Sequence, residues 1–332
     1  MSFIRKRWRS ILFALFFLII FAVIGGIYLA GLEIASPPRR ALVDYHHEYL
    51  SNSVAHGILI EKFTASDGTP CLVCVPEPNG MLGSRGIKIR EQLLARGLTL
   101  QPPGKMIGNL VLNHGRKGRK EDYLPIAERL CAAGFRCIIP DLPAHGDHPT
   151  KLATYGVREA GINTRILSEA AQKFHFDQQP TGLLGMSMGG SVAIHDAALA
   201  DSPWKALVII SSFDFIPNVI ESQASSYVGD TLGRSLASGA AFVYQQKTSM
   251  PLTAIEPRSH AVKIKIPTLI AHGTGDQVIP LSCGRALFNS FSNAADKKWI
   301  EIPGANHDNV LVTDYPIYAE IAEWMLRYVA EN

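Results

Sequence analysis

The pattern of apolar and polar positions divides the chain into two unlike parts. Residues 11–30 are almost wholly apolar, and no charged side chain occurs between Ser10 and Leu32. A helix of about 20 such residues spans roughly 30 Å, the thickness of the hydrocarbon core of a bilayer. From residue 107 onward, short continuous apolar runs alternate with amphipathic stretches of helical period. The sequence therefore predicts a transmembrane helix followed by an α/β domain with a mostly parallel sheet and helices on both faces.

The apolar runs predict the order of the elements as well. Before the α/β part we expect strands at 57–64 and 69–75 and a helix at 87–98. Later strands are expected at 107–113, 135–140, 206–210, 266–271 and 298–302, with another directly before Gly185. Helices are expected at 123–133, 157–174, 281–291 and 315–330, with another reaching Ala200.

Residues 212–265 interrupt this alternation. More than about 50 residues without a clear strand is too long for a plain connection between two core strands. We expect a helical cap or lid, the alternative being an irregular surface excursion. The predicted organisation is a basic flank at 1–10, a transmembrane signal anchor at 11–32, a linker at 33–55, and an α/β domain at 56–332 with the cap at about 212–265.

The N-terminal apolar segment is interpreted as an uncleaved signal anchor. A cleaved signal peptide would have a shorter apolar region, of about 7–15 residues, and a small-residue cleavage site. Tyr28 and Glu33 stand three positions before cuts after Ala30 and Ala35, where a small residue is required. The basic residues at 5–9 favour a cytoplasmic N-terminus, which puts the rest of the chain on the exported side. The alternative is a cleaved segment and a freely exported protein.

Composition narrows the classes of partner and cofactor. The net charge is +3, and Arg5, Lys6, Arg7 and Arg9 contribute +4, so the rest of the chain carries about −1. A nearly neutral domain gives no reason to expect nucleic acid as a partner. The 5 cysteines match no metal-ligand spacing, and we interpret them as small buried apolar residues, with a Cys131–Cys137 disulfide as the alternative. We expect neither a metal nor a cofactor.

A nucleophile motif stands in the centre of the chain. Gly185-Met186-Ser187-Met188-Gly189 is a complete G-x-S-x-G, preceded by a short apolar run and followed by apolar residues at helical spacing. In that context the serine occupies a sharp strand-to-helix turn that exposes its hydroxyl. Gly185 and Gly189 are needed because a Cβ at either position would collide with a neighbouring element. The helix N-terminus favours negative charge developing at the serine.

An acid and a base follow the serine along the chain, in the order Ser187, Asp276, His307. Asp276 comes after a buried strand in the stretch His272–Pro280, and His307 follows the last strand. A serine hydroxyl needs a base within hydrogen-bond reach to act as a nucleophile at neutral pH. His307 would take its proton, and Asp276 would fix the imidazole tautomer and stabilise the imidazolium.

These motifs make the chain similar to the α/β-hydrolase superfamily. The matching stretches are 112–115, 141–146, 185–189, 272–280 and 304–307. Within the superfamily the chain most resembles the monoglyceride lipase and serine aminopeptidase-like branch. It departs from that branch's loop pattern at Ala144 and His148, and at Asn306 before the histidine.

The resemblance also implies further site residues. The oxyanion hole would consist of the backbone N–H groups of Met188 and Arg116. Some relatives carry their acid at the position of Asp214, which is the alternative to Asp276. In the family pattern His114, His145 and His272 belong to structural turns. The side chains of Arg116, Lys117, Arg119 and Lys120 make the loop basic, and we expect a solvated loop, with attraction of an anionic substrate as the alternative.

The sequence as a whole predicts a membrane-anchored serine hydrolase that cleaves carboxylic esters through an acyl-enzyme. Lipid-derived esters are favoured because the anchor would hold the pocket near a membrane. Aminopeptidase, amidase or acyltransferase activity would use the same triad, so these reactions remain alternatives. A catalytically silent, membrane-tethered binding protein is the alternative from another class.

Overall fold

The computed structural model describes residues 2–330, with side chains for residue 8 and for residues 11–330. The strands are β1 Ile58–Thr64, β2 Pro70–Pro76, β3 Gly108–Asn113, β4 Phe135–Pro140, β5 Thr181–Met186, β6 Ala206–Ile210, β7 Thr268–Gly273 and β8 Lys297–Ile302. The helices are α1 Ser2–Ala35, α2 Asp44–Ser51, α3 Ser84–Ala95, α4 Leu124–Ala132, α5 Ile162–Phe174, α6 Met188–Ala197, α7 Ile216–Val228, α8 Asp230–Thr248, α9 Pro257–Ala261, α10 Leu281–Ser290 and α11 Ile317–Val329.

The strands of the described chain form one 8-stranded sheet in the order β1-β2-β4-β3-β5-β6-β7-β8. β2 is antiparallel to both β1 and β4, and every later pair is parallel. Side chains alternate between the two faces, so Leu183 packs on the face covered by α5, α6 and α10. Leu184 packs on the opposite face, with α3, α4 and α11. The predicted parallel sheet with helices on both faces is confirmed.

The strand predictions at 135–140 and 206–210 match the structure residue for residue. The helix expected at 157–174 was wrong over its first turn, because α5 begins only at Ile162. The Glu159 carboxylate accepts hydrogen bonds from the backbone N–H groups of Thr154 and Gly156, which folds this stretch into a turn. Gly161 then has a φ of 85°, which a helix does not permit. The helix expected at 87–98 begins and ends earlier in the chain than predicted, since α3 runs from Ser84 to Ala95.

The linker expected at 33–55 was wrong for residues 44–51, which form α2. His46 on this helix is fully buried, and its Nε2 lies 2.9 Å from Asp122 Oδ1. Tyr49 is also buried and donates a hydrogen bond to Glu128 on α4. These partners lie more than 70 residues away in the chain, so the local polar pattern gave no sign of them.

Helix α1 continues past the predicted segment 11–32, up to Ala35. Its stretch Ile11–Ala35 is long and apolar enough to cross a membrane, with a mean hydropathy of 2.8. The last turn of α1 joins the domain: Tyr155 donates a hydrogen bond to Ile34 O (2.8 Å), and Ala153 N donates one to Ala35 O (2.9 Å). Residues 212–265 contain the three helices α7, α8 and α9, and α8 packs along α1, where a Cβ on Gly31 would collide with Val243.

Candidate active site

Ser187 stands at a sharp turn between β5 and α6. Its φ of 54° and ψ of −121° lie in a region that side chains rarely adopt, at a cost of about 1–3 kcal/mol. A hydrogen bond from Ser187 N to Ile210 O (2.8 Å) holds the turn. A Cβ on Gly185 would collide with Gly189 O, and one on Gly189 would collide with Asn113 O. The two glycines therefore allow strand and helix to approach closely enough to present the hydroxyl.

The structure brings Ser187, Asp276 and His307 together at the carboxyl ends of β5, β7 and β8. His307 Nε2 lies 3.0 Å from Ser187 Oγ, and His307 Nδ1 lies 2.7 Å from Asp276 Oδ2. The Oδ1 atom of Asp276 accepts hydrogen bonds from Val278 N (2.9 Å) and Ile279 N (2.8 Å). With Nδ1 donating its proton to Asp276, Nε2 is left as an acceptor for the serine hydroxyl.

Two loops that carry the acid and the histidine are tied to each other. Gly275 N donates a hydrogen bond to Ala305 O (2.9 Å), and Gly304 N donates one to Thr274 Oγ1 (2.8 Å). Gly273 lies so close to the second loop that a Cβ would collide with Ala305 O. The backbone contacts between these two loops therefore fix the distance between Asp276 and His307, and the rigid sheet holds both loops in position.

The two predicted oxyanion donors flank Ser187. Met188 N–H is at the N-terminus of α6, and Arg116 N–H follows Gly115, whose added Cβ would lie 3.4 Å from Ser187 Cβ. Within residues 2–330 neither N–H donates a hydrogen bond to another protein group. Both are therefore available for an oxygen bound beside the serine.

The loop after β3 is held by the buried carboxylate of Asp141, which begins the matching stretch 141–146. Asp141 Oδ1 accepts a hydrogen bond from Lys120 N (2.8 Å), and its Oδ2 accepts others from Lys120 Nζ (2.8 Å) and Asp147 N (2.8 Å). The expected solvated loop was wrong for Arg119 and Lys120, because both side chains are buried in ion pairs. Burial alone would lower the pKa of Lys120, but Asp141 and its neighbouring carboxylates raise it above its ordinary value.

Replacing Lys120 is expected to cost much more stability than replacing its exposed neighbour Lys117. The change Lys120→Met leaves the buried Asp141 carboxylate without its cation, so the free energy of unfolding should fall by about 3–5 kcal/mol. The control Lys117→Met breaks only a surface pair with Glu33 and should cost about 1 kcal/mol or less. Urea unfolding of both variants measures this, and equal losses would contradict the role of Asp141.

Glu33, the first charged residue after the apolar segment, is a residue that the sequence analysis missed. Its carboxylate lies 3.0 Å from the Arg116 guanidinium and 2.7 Å from Lys117 Nζ. Arg116 also donates a hydrogen bond to Glu33 O (3.1 Å). The end of α1 therefore contacts the loop that carries the Arg116 N–H. The position of Glu33 at the end of an apolar run was the only signal in the sequence.

The alternative residues have other partners. Asp214 lies 3.4 Å from the Arg258 guanidinium, and burial raises the pKa of its carboxyl. His114 Nε2 accepts a hydrogen bond from Leu142 N (3.0 Å), and burial lowers the pKa of His145 to about 3. Asp308, the carboxylate next to His307 in the sequence, donates its backbone N–H to Asn306 Oδ1 (3.0 Å) within a turn.

Cysteines and metal ligands form no site in the described part of the chain. All the cysteines are free and buried. No group of at least three His, Cys, Asp or Glu side chains among residues 2–330 is arranged to hold a metal ion.

Ser187 and His307 lie between two cavities. The first, of about 720 Å³, is lined mainly by apolar residues of α1, α7 and α8. The second, of about 850 Å³, lies on the side of Gly115 and is rich in cationic side chains, namely Arg39, Arg40, Arg85, Arg116, Lys117 and Arg129. The hydroxyl can therefore reach a ligand that extends into an apolar space on one side and a polar space on the other.

Comparison with known proteins identifies the family. A model described as the alpha/beta hydrolase family matches residues 110–320. Alpha/beta hydrolase domain-containing protein 17B of Xenopus laevis is 38% identical over 70 residues, 21% of this chain and 22% of that protein. The human protein of the same name is 36% identical over 70 residues, again 21% and 22%. The match thus spans about a fifth of the length of these curated relatives.

Solved structures share the fold at low sequence identity. An esterase of Pyrococcus furiosus has a TM-score of 0.60 at 14% identity, over 90% of this chain and 99% of that one. A putative lipase from Acinetobacter baumannii has a TM-score of 0.55 at 18% identity, over 87% and 97%. The acylaminoacyl peptidase of Pyrococcus horikoshii has a TM-score of 0.55 at 14% identity, over 88% and 45%. With its family match over residues 110–320 and this shared fold, the chain belongs to the α/β-hydrolase family.

Proposed function

We propose that this α/β hydrolase is a serine esterase that cleaves carboxylic esters through an acyl-enzyme on Ser187. The observation that carries the proposal is the continuous hydrogen-bonded series from Asp276 through His307 to Ser187 Oγ. The series ends where the two cavities meet, so an ester carbonyl has access to the hydroxyl. No cofactor takes part in the proposed reaction.

The reaction proceeds in two halves. Ser187 Oγ attacks the ester carbonyl while His307 Nε2 takes its proton, and Asp276 stabilises the resulting imidazolium. The N–H groups of Met188 and Arg116 hold the oxyanion, and loss of one such donor typically costs about 10²–10³ in turnover. His307 then protonates the departing alcohol. In the second half it activates a water that attacks the acyl carbonyl, releases the acid and restores the serine hydroxyl.

The N-terminal helix is proposed to stay attached and to anchor the enzyme in a membrane. Its apolar side chains between Ile11 and Leu29 are largely exposed, as a lipid environment requires. The same helix continues unbroken to Ala35 and packs against the domain, so cleavage near Ala30 would remove part of the folded structure. The basic flank favours a cytoplasmic N-terminus with the domain on the exported side. The mass of the mature protein tests this directly, since loss of about 30 residues would contradict it.

Hydrolysis of matched esters and amides tests the proposed reaction. The full chain in detergent is given p-nitrophenyl esters and the corresponding p-nitroanilides, with a heat-inactivated sample as background. We expect a rapid burst of p-nitrophenol equal to the enzyme concentration, followed by slower turnover, because an activated ester acylates the serine faster than water releases the acyl group. Faster cleavage of the anilides would favour the amidase alternative. Absence of turnover on both would favour the silent binding protein.

A further inference from the structure

The apolar cavity beside Ser187 has part of the N-terminal helix as its wall. Val23, Gly26, Ile27 and Ala30 line it, and their spacing of three and four places them on one face of α1. Glu33 and Ile34 continue the same face toward the serine. From Val23 to Ile34 this face extends about 16 Å along the helix axis.

The opposite wall of the cavity belongs to the cap helices. Ile216, Val219 and Ile220 contribute from α7, and Leu236, Ala237 and Ala240 from α8. α8 is fastened to α1 by close contacts, since a Cβ on Gly239 would lie 2.7 Å from Ile27 Cγ2 and one on Gly31 would collide with Val243. The cavity is therefore incomplete without α1.

The outer end of the cavity coincides with the apolar segment of α1. Ile27 lies beside Gly239 and Gly31 beside Val243, so α8 runs parallel to α1, and the turn at Gly229 before α8 lies toward the apolar N-terminal part of α1. Tyr227 and Leu232 beside that turn are 83% and 61% exposed. Large apolar side chains this exposed, next to a helix able to span a bilayer, are typical of a surface that contacts lipid.

We propose that the cavity between α1, α7 and α8 is the acyl-chain site, and that the substrate is a long-chain acyl ester taken directly from the membrane. This inference rests on the proposed esterase function. The acyl chain lies along the α1 face from Val23 to Ile34 with its carbonyl at Ser187, and the leaving group occupies the second cavity. The acyl chain of the substrate passes from the hydrocarbon core of the bilayer directly into the apolar cavity without crossing water. In this arrangement α1 determines chain-length specificity in addition to anchoring the enzyme.

Two adjacent glycines of α1 give a matched test. An added Cβ meets no atom within 4 Å at Gly25 or Gly26, but only Gly26 lines the cavity. Gly26→Phe therefore places a ring in the proposed acyl site, while Gly25→Phe makes the same change to the helix outside it. The full chain, reconstituted in phosphatidylcholine vesicles, is assayed with 4-methylumbelliferyl butyrate and palmitate.

We expect Gly26→Phe to lower the ratio of kcat/KM for the palmitate to kcat/KM for the butyrate about tenfold or more. The physical reason is that each buried methylene contributes about fourfold to binding, and the ring displaces several of them. Gly25→Phe should leave kcat/KM unchanged for both esters. The rate of the wild type should rise with the mole fraction of palmitate ester in the vesicle. Equal effects of the two variants, or equal losses on both esters, would overturn the inference. If the wild type cleaved neither ester, the proposed function itself would fail.

Discussion

Ser187→Ala is expected to lower kcat for ester hydrolysis about 10⁶-fold, because the reaction loses its nucleophile. The Oγ atom lies 3.0 Å from His307 Nε2, and no other hydroxyl among residues 11–330 shares that contact. His307 and the oxyanion N–H groups remain in the variant, so any residual rate measures water attack assisted by them alone. Stopped assays with a fluorogenic ester measure the loss.

The stability of the Ser187→Ala variant serves as the control. Alanine keeps the Cβ of serine, and the turn is held by the backbone hydrogen bond to Ile210 O. The free energy of unfolding should therefore change little. A variant that stays folded and retains more than about one percent of wild-type turnover would show that another group performs the attack.

Asp276→Asn is expected to lower kcat about 10⁴-fold, the second largest effect. The amide keeps the shape of the side chain, but its NH2 group can donate a hydrogen bond to His307 Nδ1, which in the wild type lies 2.7 Å from Asp276 Oδ2. The imidazole would then carry its proton on Nε2 and could not accept the serine proton, a fault that costs about 10⁴ in kcat in serine hydrolases.

Asp214→Asn is the matched control for the acid. Asp214 is also buried after a core strand, but it faces Arg258. Burial raises the pKa of this carboxyl, and an amide of the same shape leaves the contacts of His307 with Asp276 and Ser187 in place. We expect kcat to stay within about threefold of wild type, because the groups that react with the ester keep their partners. If Asp214→Asn were the more damaging change, the assignment of Asp276 would be wrong.

Much of the sheet and the order of the candidate triad could be predicted from the sequence. Buried parallel strands are continuous apolar runs, so 135–140 and 206–210 were visible as such. A catalytic group directly after a strand also leaves a local signal, as at Ser187, Asp276 and His307. The family match over residues 110–320 agrees with the region in which those motifs occur.

The features that could not be predicted depend on partners far apart in the chain. His46 is buried because of Asp122, and Lys120 because of Asp141. Neither partner follows from a local period, so a polar helix was taken for a linker and two buried cations for a solvated loop. A local pattern predicts which side of a helix or strand is apolar, whereas the burial of a charged side chain depends on partners that are distant in the sequence.

The N-terminal helix shows the same limit. Its apolar composition predicts a membrane-spanning helix. That Val23, Gly26, Ile27 and Ala30 line a cavity follows only from the packing of α8 against this helix. Glu33 then joins the end of this helix to Arg116 and Lys117 in the loop beside Ser187. The N-terminal helix, the cavity and the candidate oxyanion loop are consequently in physical contact.

Covalent labelling by a fluorophosphonate, followed by peptide mass mapping, tests the central claim most directly. The reagent phosphonylates a serine only where a base and oxyanion donors activate it, with fluoride as the leaving group. The account predicts one adduct per chain, on the peptide that contains Ser187, and none in the Ser187→Ala variant. An unlabelled wild-type chain, or an adduct on a peptide without Ser187, would contradict it.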